Sequence, residues 1–353
     1  GPISGPNPVC QNTSNVNYSV NPITNAVTYV WTLVPAASGN ISGPTETAIV
    51  NWLNYTGTAT INVKGVNSCG SGPISNNLVV TVNPRPVVTY TSCNDSVTTT
   101  DAVPFKIKGG IPLGGVYTGA GVVPATGIFY PAVAGIGTHA ILFTYNNMYS
   151  CSNSATKQIK VVSSQIFNCG ELLTDVRDNL VYPSVLIGTQ CWMAENLNHG
   201  NMISSAQMQR DNCFIEKYCY NNTASICSSS GALYQWDEIM RYETTQGIQG
   251  LCPPGWHIPT ELDWHILFKY YISNGFAGSP LKFSGYSGYN ALLSGVRFLN
   301  KQYDFDAFST FLWSSTQRSY TKAWAHAMNS YNPSVSYYPG AKTDAFSVRC
   351  LKD

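Results

Sequence analysis

The chain has 353 residues, too many for one ordinary domain and suited to two or three. Hydrophobic residues make up 44%, so every part can bury a core, but charged residues make up only 10%, against roughly 25% in an average soluble protein. A net charge of +1 supplies no basic footprint, which argues against nucleic acid or an anionic membrane as partner, and no apolar run reaches the roughly 18 residues that a spanning helix needs. Eleven cysteines without a C-x-x-C pair point to an oxidising, extracellular or cell-surface compartment. The opening stretch GPISGPNP is loop-like and reads as the start of a mature product or of a fragment.

Composition changes near residue 165. Residues 1–166 hold nine charged side chains and two of the eight tryptophans; the rest of both lie beyond. The first part reads as a repeat. Cys10 and Cys69 are spaced almost as Cys93 and Cys151 are, and each pair is expected to bridge one module. In Val27-Thr28-Tyr29-Val30-Trp31, alternation puts Val27, Tyr29 and Trp31 on one face. In Thr60-Ile61-Asn62-Val63 it does so for Ile61 and Val63. Each unit ends in a β-branched strand, Leu78-Val79-Val80-Thr81-Val82 and Gln158-Ile159-Lys160-Val161-Val162. About 80 residues of short strands with one bridge suit an Ig-class β-sandwich. The predicted modules are residues 1–84 and 85–165, with Asn83-Pro84-Arg85-Pro86 as a stiff linker and Trp31 as a core residue beside the first bridge. Through Tyr29 to Pro35 and the terminal strand, this part resembles the PKD-like and Ig-like repeats of bacterial surface adhesins.

The remainder, 166–353, opens with Asp175 to Tyr182, a turn into a strand. Then come Val185-Leu186-Ile187-Gly188-Thr189-Gln190-Cys191-Trp192, a strand, a tight turn at Gly188 and a Trp-anchored strand. Ile215 to Tyr220, Gly231 to Glu238, Leu251-Cys252-Pro253-Pro254-Gly255-Trp256-His257-Ile258 and Phe346-Ser347-Val348-Arg349-Cys350 follow. In this order the segments resemble the Fibrobacter succinogenes major paralogous domain. The resemblance implies a C-type-lectin-like fold, related to the formylglycine-generating-enzyme type, and a secreted bacterial surface module without an established activity. Thr260 is placed to cap a helix with Asp263 in its first turn. Trp264, Leu267, Phe268 and Tyr271 form one apolar stripe, and Gly275 is placed to end the helix. A second helix is predicted over Leu233 to Tyr242 with Leu233, Trp236, Ile239 and Met240 inward. The predicted whole is multidomain: two all-β Ig-like sandwiches, then an α+β lectin-like domain.

By position, Cys252 is expected to pair with Cys350, Cys219 with Cys227, and Cys169 with Cys191; Cys213 is left over, either free or displacing the last assignment. The histidines His139, His199, His257, His265 and His326 show no metal-ligand spacing. Calcium-dependent lectins use carboxylates after a tryptophan, but here Leu312-Trp313-Ser314-Ser315-Thr316 has none, so no cofactor is expected. Asp175, Asp178 and Asn179 carry oxygen ligands able to bind an ion such as calcium, but they read first as a solvated turn. Asp237 and Glu238 are adjacent and do not face one site, and no nucleophile motif occurs, so no catalytic residue is assigned.

The candidate ligand-binding residues are Trp313, Tyr320, Trp324, His326, Asn329, Tyr331, Tyr337 and Tyr338. Aromatics among small polar residues give large contact area at low entropic cost. The expected function is a secreted adhesin segment, its sandwiches a stalk for a lectin-like domain that binds a surface glycan or protein. Such proteins leave through a dedicated outer-membrane secretion system. The alternatives are a structural module docking onto a partner subunit of a surface complex, or an accessory module of a carbohydrate-active enzyme.

Overall fold

The computed structural model describes residues 1–164, 166–272 and 276–353. It divides into two compact units. The first comprises Gly1–Tyr90, Gly110–Val116 and Phe143–Ala155; the second comprises Thr91–Gly109, Tyr117–Leu142 and Thr156–Asp353. The 85–165 stretch contributes to both.

In the first unit a four-stranded sheet and a five-stranded one, whose fifth strand Gly70–Ser71 pairs with Gly57–Asn67, form a sandwich. One runs in the order Ile3–Ser4, Val16–Val20, Thr47–Trp52, Gly39–Ser42, and the other Val9–Cys10, Leu78–Asn83, Gly57–Asn67, Thr28–Val34. Pairing is antiparallel except between Val9–Cys10 and Leu78–Asn83. The alternation reads out as burial: Tyr29, Trp31 and Leu33 on one strand, Ala59, Ile61 and Val63 on its neighbour, Val80 and Val82 on the next. Each fully buried aliphatic side chain contributes about 1.5–3 kcal/mol. Val27 precedes the strand and is exposed, so it leaves the expected face. Trp31 is a core residue, its indole N–H donating to the Thr45 carbonyl at 3.0 Å.

The cysteines of this unit do not pair as expected. Cys10 bridges to Cys151, and Cys69 is free and exposed. Strand register gives the reason. Val82 lies opposite both Val9 and Gly57, so Cys10 sits at the Gly57 end of the Gly57–Asn67 strand, whereas Cys69 lies in the hairpin turn past its other end. Ten residues of strand separate the two by about 30 Å, and a bridge needs Cα atoms within about 7 Å. The Asn83–Pro86 linker is also tied into the unit. Arg85 donates to the carbonyls of Gln11 at 2.8 Å and Ser152 at 2.9 Å, and Asn147 and Asn153 donate to those of Pro84 and Pro86.

In the second unit Cys93 pairs with Cys213, not with Cys151, which uses the cysteine left over in the sequence. Cys169–Cys191, Cys219–Cys227 and Cys252–Cys350 form as expected. A five-stranded sheet runs Leu172–Thr174, Val181–Ile187, Gln190–Met193, Leu351–Lys352, Trp256–His257. Ile187 pairs with Gln190 across a two-residue turn in which Gly188 takes φ +61°, the left-handed conformation that such turns favour. A second sheet runs Tyr234–Gln235, Ala345–Phe346, Ser294–Arg297, Ser309–Gln317, Lys322–Asn329, Ser336–Ala341, with Tyr303–Asp306 paired to Ser294–Arg297.

The helix Glu261–Ile272 starts as predicted. The Thr260 hydroxyl accepts from the Asp263 N–H at 3.3 Å and the Thr260 N–H donates to Asp263 Oδ2 at 2.8 Å, a capping box built with aspartate, to which the hydroxyl adds a bond at 2.6 Å. Trp264, Leu267, Phe268 and Tyr271 are buried along one stripe. Gly275 lies outside the described residues. The helix predicted over Leu233 to Tyr242 shortens to Trp236–Ile239, because Tyr234 and Gln235 are drawn into a strand opposite Phe346 and Ala345. Its inward set, Leu233, Trp236, Ile239 and Met240, is buried nevertheless. Arg349 of the closing motif is also buried. It donates to the Asn196 side chain and to the carbonyls of Met193, Tyr289 and Asn290, pinning two distant segments, 193–196 and 289–290, with one fork of donors.

Candidate functional site

The predicted binding residues lie on the hairpin strands Ser309–Gln317, Lys322–Asn329 and Ser336–Ala341, whose pairing divides them by face, except Tyr320 and Tyr331, which lie in the turns between them. Trp313 and His326 belong to the interior. Trp313 is fully buried, 4.3 Å from the Phe346 ring, with its indole N–H on the Tyr234 carbonyl at 2.8 Å. His326 is fully buried under the helix, ringed by Trp264, Phe268 and Tyr337, with Nε2 on Glu261 at 3.0 Å. Both fall outside any binding surface, because at these registers their side chains point into the two cores that flank the sheet. Tyr338 also leans inward, against Phe311 and Phe346. Asn329 is used structurally: its side-chain oxygen accepts from the N–H groups of Tyr331 and Asn332 and so shapes the turn.

What stays outside is narrower. Tyr320 is 91% exposed and Tyr331 is 82% exposed. Tyr337 is exposed on one flank, and Trp324 is half-buried beneath the Arg318 guanidinium, 4.9 Å from its ring. Tyr331 has a stacked neighbour that sequence reasoning missed, Phe308, at 6.3 Å and an interplanar angle of 19°. Phe308 was overlooked because it lies on the turn before its strand, outside the periodic segments.

A deeper feature was not foreseen. A cleft of about 480 Å³ lies within the second unit, between the 93–108 segment and the 210–250 loops. Its walls are braced by the Cys93–Cys213 bridge, by Lys108–Glu243 at 2.6 Å, and by Arg241, which donates to the Cys93 carbonyl and pairs with Asp95 at 3.6 Å. Asp95 also meets Arg177 at 3.2 Å; against the cost of burial, the two guanidinium groups hold its carboxyl below the usual range. Glu238 sits buried at the cleft. Its Oε1 accepts from the Glu216 N–H at 2.9 Å and its Oε2 accepts from the Tyr242 hydroxyl at 2.8 Å. Burial raises this carboxyl from its ordinary 4.5 to about 7, against those two hydrogen bonds. Neighbouring Asp237 is half-buried and meets Lys342 at 3.6 Å, so the two adjacent acids do face different surroundings. No periodic signal in the sequence could have joined Thr98 or Lys108 to Glu238 in one cleft, since they lie well over a hundred positions apart.

Asp175, Asp178 and His199 bring ligand-type atoms within 4.8 Å of one another. Their donors are already committed. Arg177 holds Asp175 through Nε at 2.9 Å and Nη2 at 2.6 Å, and Asp178 Oδ2 meets His199 Nδ1 at 2.6 Å. Asp175 is buried rather than in the solvated turn that was expected; Asn179 is exposed with φ +62°.

Taken together these features define a disulfide-braced, mostly β protein. Residues 185–352 match the family described as the Fibrobacter succinogenes major domain, and residues 1–80 match a PKD-like domain. No curated protein matches the chain. Among solved structures it is similar to fibronectin(III)-like modules of CbhA from Clostridium thermocellum, at 16% identity over 47% of this chain and 97% of that one, with a TM-score of 0.26. It is also similar to a C-terminal fragment of intimin, solved with the intimin-binding domain of its translocated receptor, at 10% identity over 100% and 99%, TM-score 0.29. A third is the Yersinia pseudotuberculosis adhesin InvE, at 12% identity over 98% and 96%, TM-score 0.20. Likeness at these scores carries no argument about function. Among the described residues no helix is long and apolar enough to cross a membrane.

Proposed function

We propose that this chain is a non-catalytic binding segment of a bacterial surface adhesin. The N-terminal sandwich part carries a lectin-like C-terminal module, which holds a glycan through exposed aromatic side chains. The single observation that carries the reading is the stacked pair Phe308–Tyr331, with 53% and 82% of each residue open to solvent. Two rings held parallel and bare in a chain this poor in charge are otherwise a net cost, since exposed aromatic area costs free energy in water. Sugars present apolar ring faces that stack on such pairs, and Ser330 and Ser334 of the same turn, together with the side-chain NH₂ groups of Asn329 and Asn332, whose oxygens accept turn N–H groups, supply hydrogen-bonding groups beside them. Five disulfides suit the oxidising compartment that the reading requires.

The test is a glycan array probed with the full chain and with a Phe308→Ala/Tyr331→Ala variant. The expected result is a defined set of binding glycans that the variant loses by tenfold or more in affinity, with unchanged thermal melting. Silence of the wild-type chain across the array refutes the glycan reading. Equal binding by the variant refutes the assignment of these two rings.

A further inference from the structure

The cleft of the second unit has no part in the surface just proposed, and its chemistry is different. One side is apolar, with Val103, Pro104, Phe105, Phe214 and Ile248 among its lining residues. Its volume of about 480 Å³ falls within the range of small-molecule sites. Thr98 lines the same space. It is 3% exposed, and among the described residues its hydroxyl has no hydrogen-bond partner. A buried hydroxyl without a partner costs about 1–3 kcal/mol, a cost that an occupant with one polar group removes.

Charge decides what kind of occupant fits. Within the lining, Lys108 is neutralised by Glu243, and Arg241 by Asp95. Four ionisable lining groups have no ion-pair partner among the described residues: the exposed cations Lys106 and Arg210, the exposed anion Asp211, and Glu238, whose carboxyl burial raises to about 7. Below pH 7, where Glu238 is protonated, they sum to one net positive charge in a cleft with one apolar side and one orphaned hydroxyl.

We propose that this cleft binds an amphipathic monoanion, a carboxylate on an aromatic or similarly apolar body. The body lies against Phe105, Phe214 and Ile248, and the carboxylate is held at the cation-bearing mouth by Lys106 and Arg210. Such a carboxylate comes either from a free small acid or from the C-terminus of a peptide ending in an apolar residue.

The probe is 2-naphthoate, titrated into the full chain by calorimetry at pH 6, where Glu238 is protonated and the probe is ionised, with neutral 2-naphthamide as its isostere. Saturable binding at one site per chain is expected, with the amide about tenfold weaker, since two partly exposed charge contacts are together worth about 1.4 kcal/mol. A Lys106→Glu/Arg210→Glu variant, both positions exposed, should melt as the wild type does and bind 2-naphthoate at least tenfold more weakly. Thr98→Val should weaken binding severalfold, and Phe214→Ala, changed at an exposed ring, provides a second reading of the apolar wall. Equal affinity for acid and amide overturns the proposal. So does absence of saturation at millimolar probe, or a charge-reversed variant of unchanged affinity. A tetrapeptide with a free C-terminal Phe that displaces 2-naphthoate, where its C-terminal amide does not, assigns the occupant to a chain end. Displacement by free acids alone assigns it to a small molecule, and both results support the shared chemistry.

Discussion

Replacing Glu238 with Gln should convert a pH-sensitive protein into a flatter one. The folded carboxyl titrates at about 7 and the unfolded one near 4.5, because burial penalises its charge more than the Glu216 N–H and the Tyr242 hydroxyl favour it. Glu216 adds repulsion and Arg241 a smaller attraction. Between those two values the folded state binds more protons, so stability falls as pH rises. Integrating the two titrations from pH 5 to pH 8 gives a loss of about 2.5 kcal/mol from this one group. Glutamine has nothing to ionise, but its amide NH₂ replaces one acceptor oxygen and meets a donor. That mismatch costs about 1 kcal/mol at every pH. The variant should therefore be less stable than wild type near pH 5 and more stable near pH 8. Urea denaturation of both proteins at the two pH values measures this directly, and other titrating groups cancel in the comparison. Parallel pH profiles for the two proteins would refute the burial argument for Glu238.

The remaining expectations concern cross-links, a charged histidine and the core. Maleimide applied to the native chain should label one thiol, Cys69, and proteolytic mapping should recover a Cys10–Cys151 peptide pair; a Cys10–Cys69 pair would contradict the strand register. Removing the buried Cys252–Cys350 bridge by double alanine substitution frees a loop of 98 residues and should cost roughly 4–5 kcal/mol, read as a shift in urea midpoint. His257 meets Asp353 at 2.7 Å and Asp263 at 3.5 Å; burial disfavours its charged ring, but the two carboxylates outweigh this and raise it to about 9. Its stabilisation is thus complete below the unfolded value of 6.5 and lost as pH rises through 9, and His257→Asn should abolish about 2 kcal/mol at pH 6 and little at pH 10. Trp313→Ala should cost about 3–5 kcal/mol in stability, as a buried aromatic does, whereas a merely surface tryptophan would leave melting unchanged.

Much of this molecule is local enough to be legible in the amino-acid order. Side chains alternate along a strand and recur along a helix by backbone geometry alone. The buried faces of Tyr29 to Leu33 and Ala59 to Val63, the Thr260–Asp263 cap and the Trp264–Tyr271 stripe therefore follow from neighbours in the chain. The short Cys219–Cys227 clip, eight residues apart, belongs to the same class. What the order of residues left open is everything that depends on which distant segments meet. Two spacings of nearly equal length suggested two module bridges, but strand register carries Cys10 and Cys69 to opposite ends of one strand and brings Cys151 to the first. Trp313 and His326 look like binding residues in a run of aromatics; only the sheet with cores on both faces shows that they point inward. The cleft at Glu238 joins a hydroxyl, a carboxyl and two cations from segments far apart in sequence. Such a site exists only after folding, because no local periodicity encodes a distance between elements that the chain reaches by different routes.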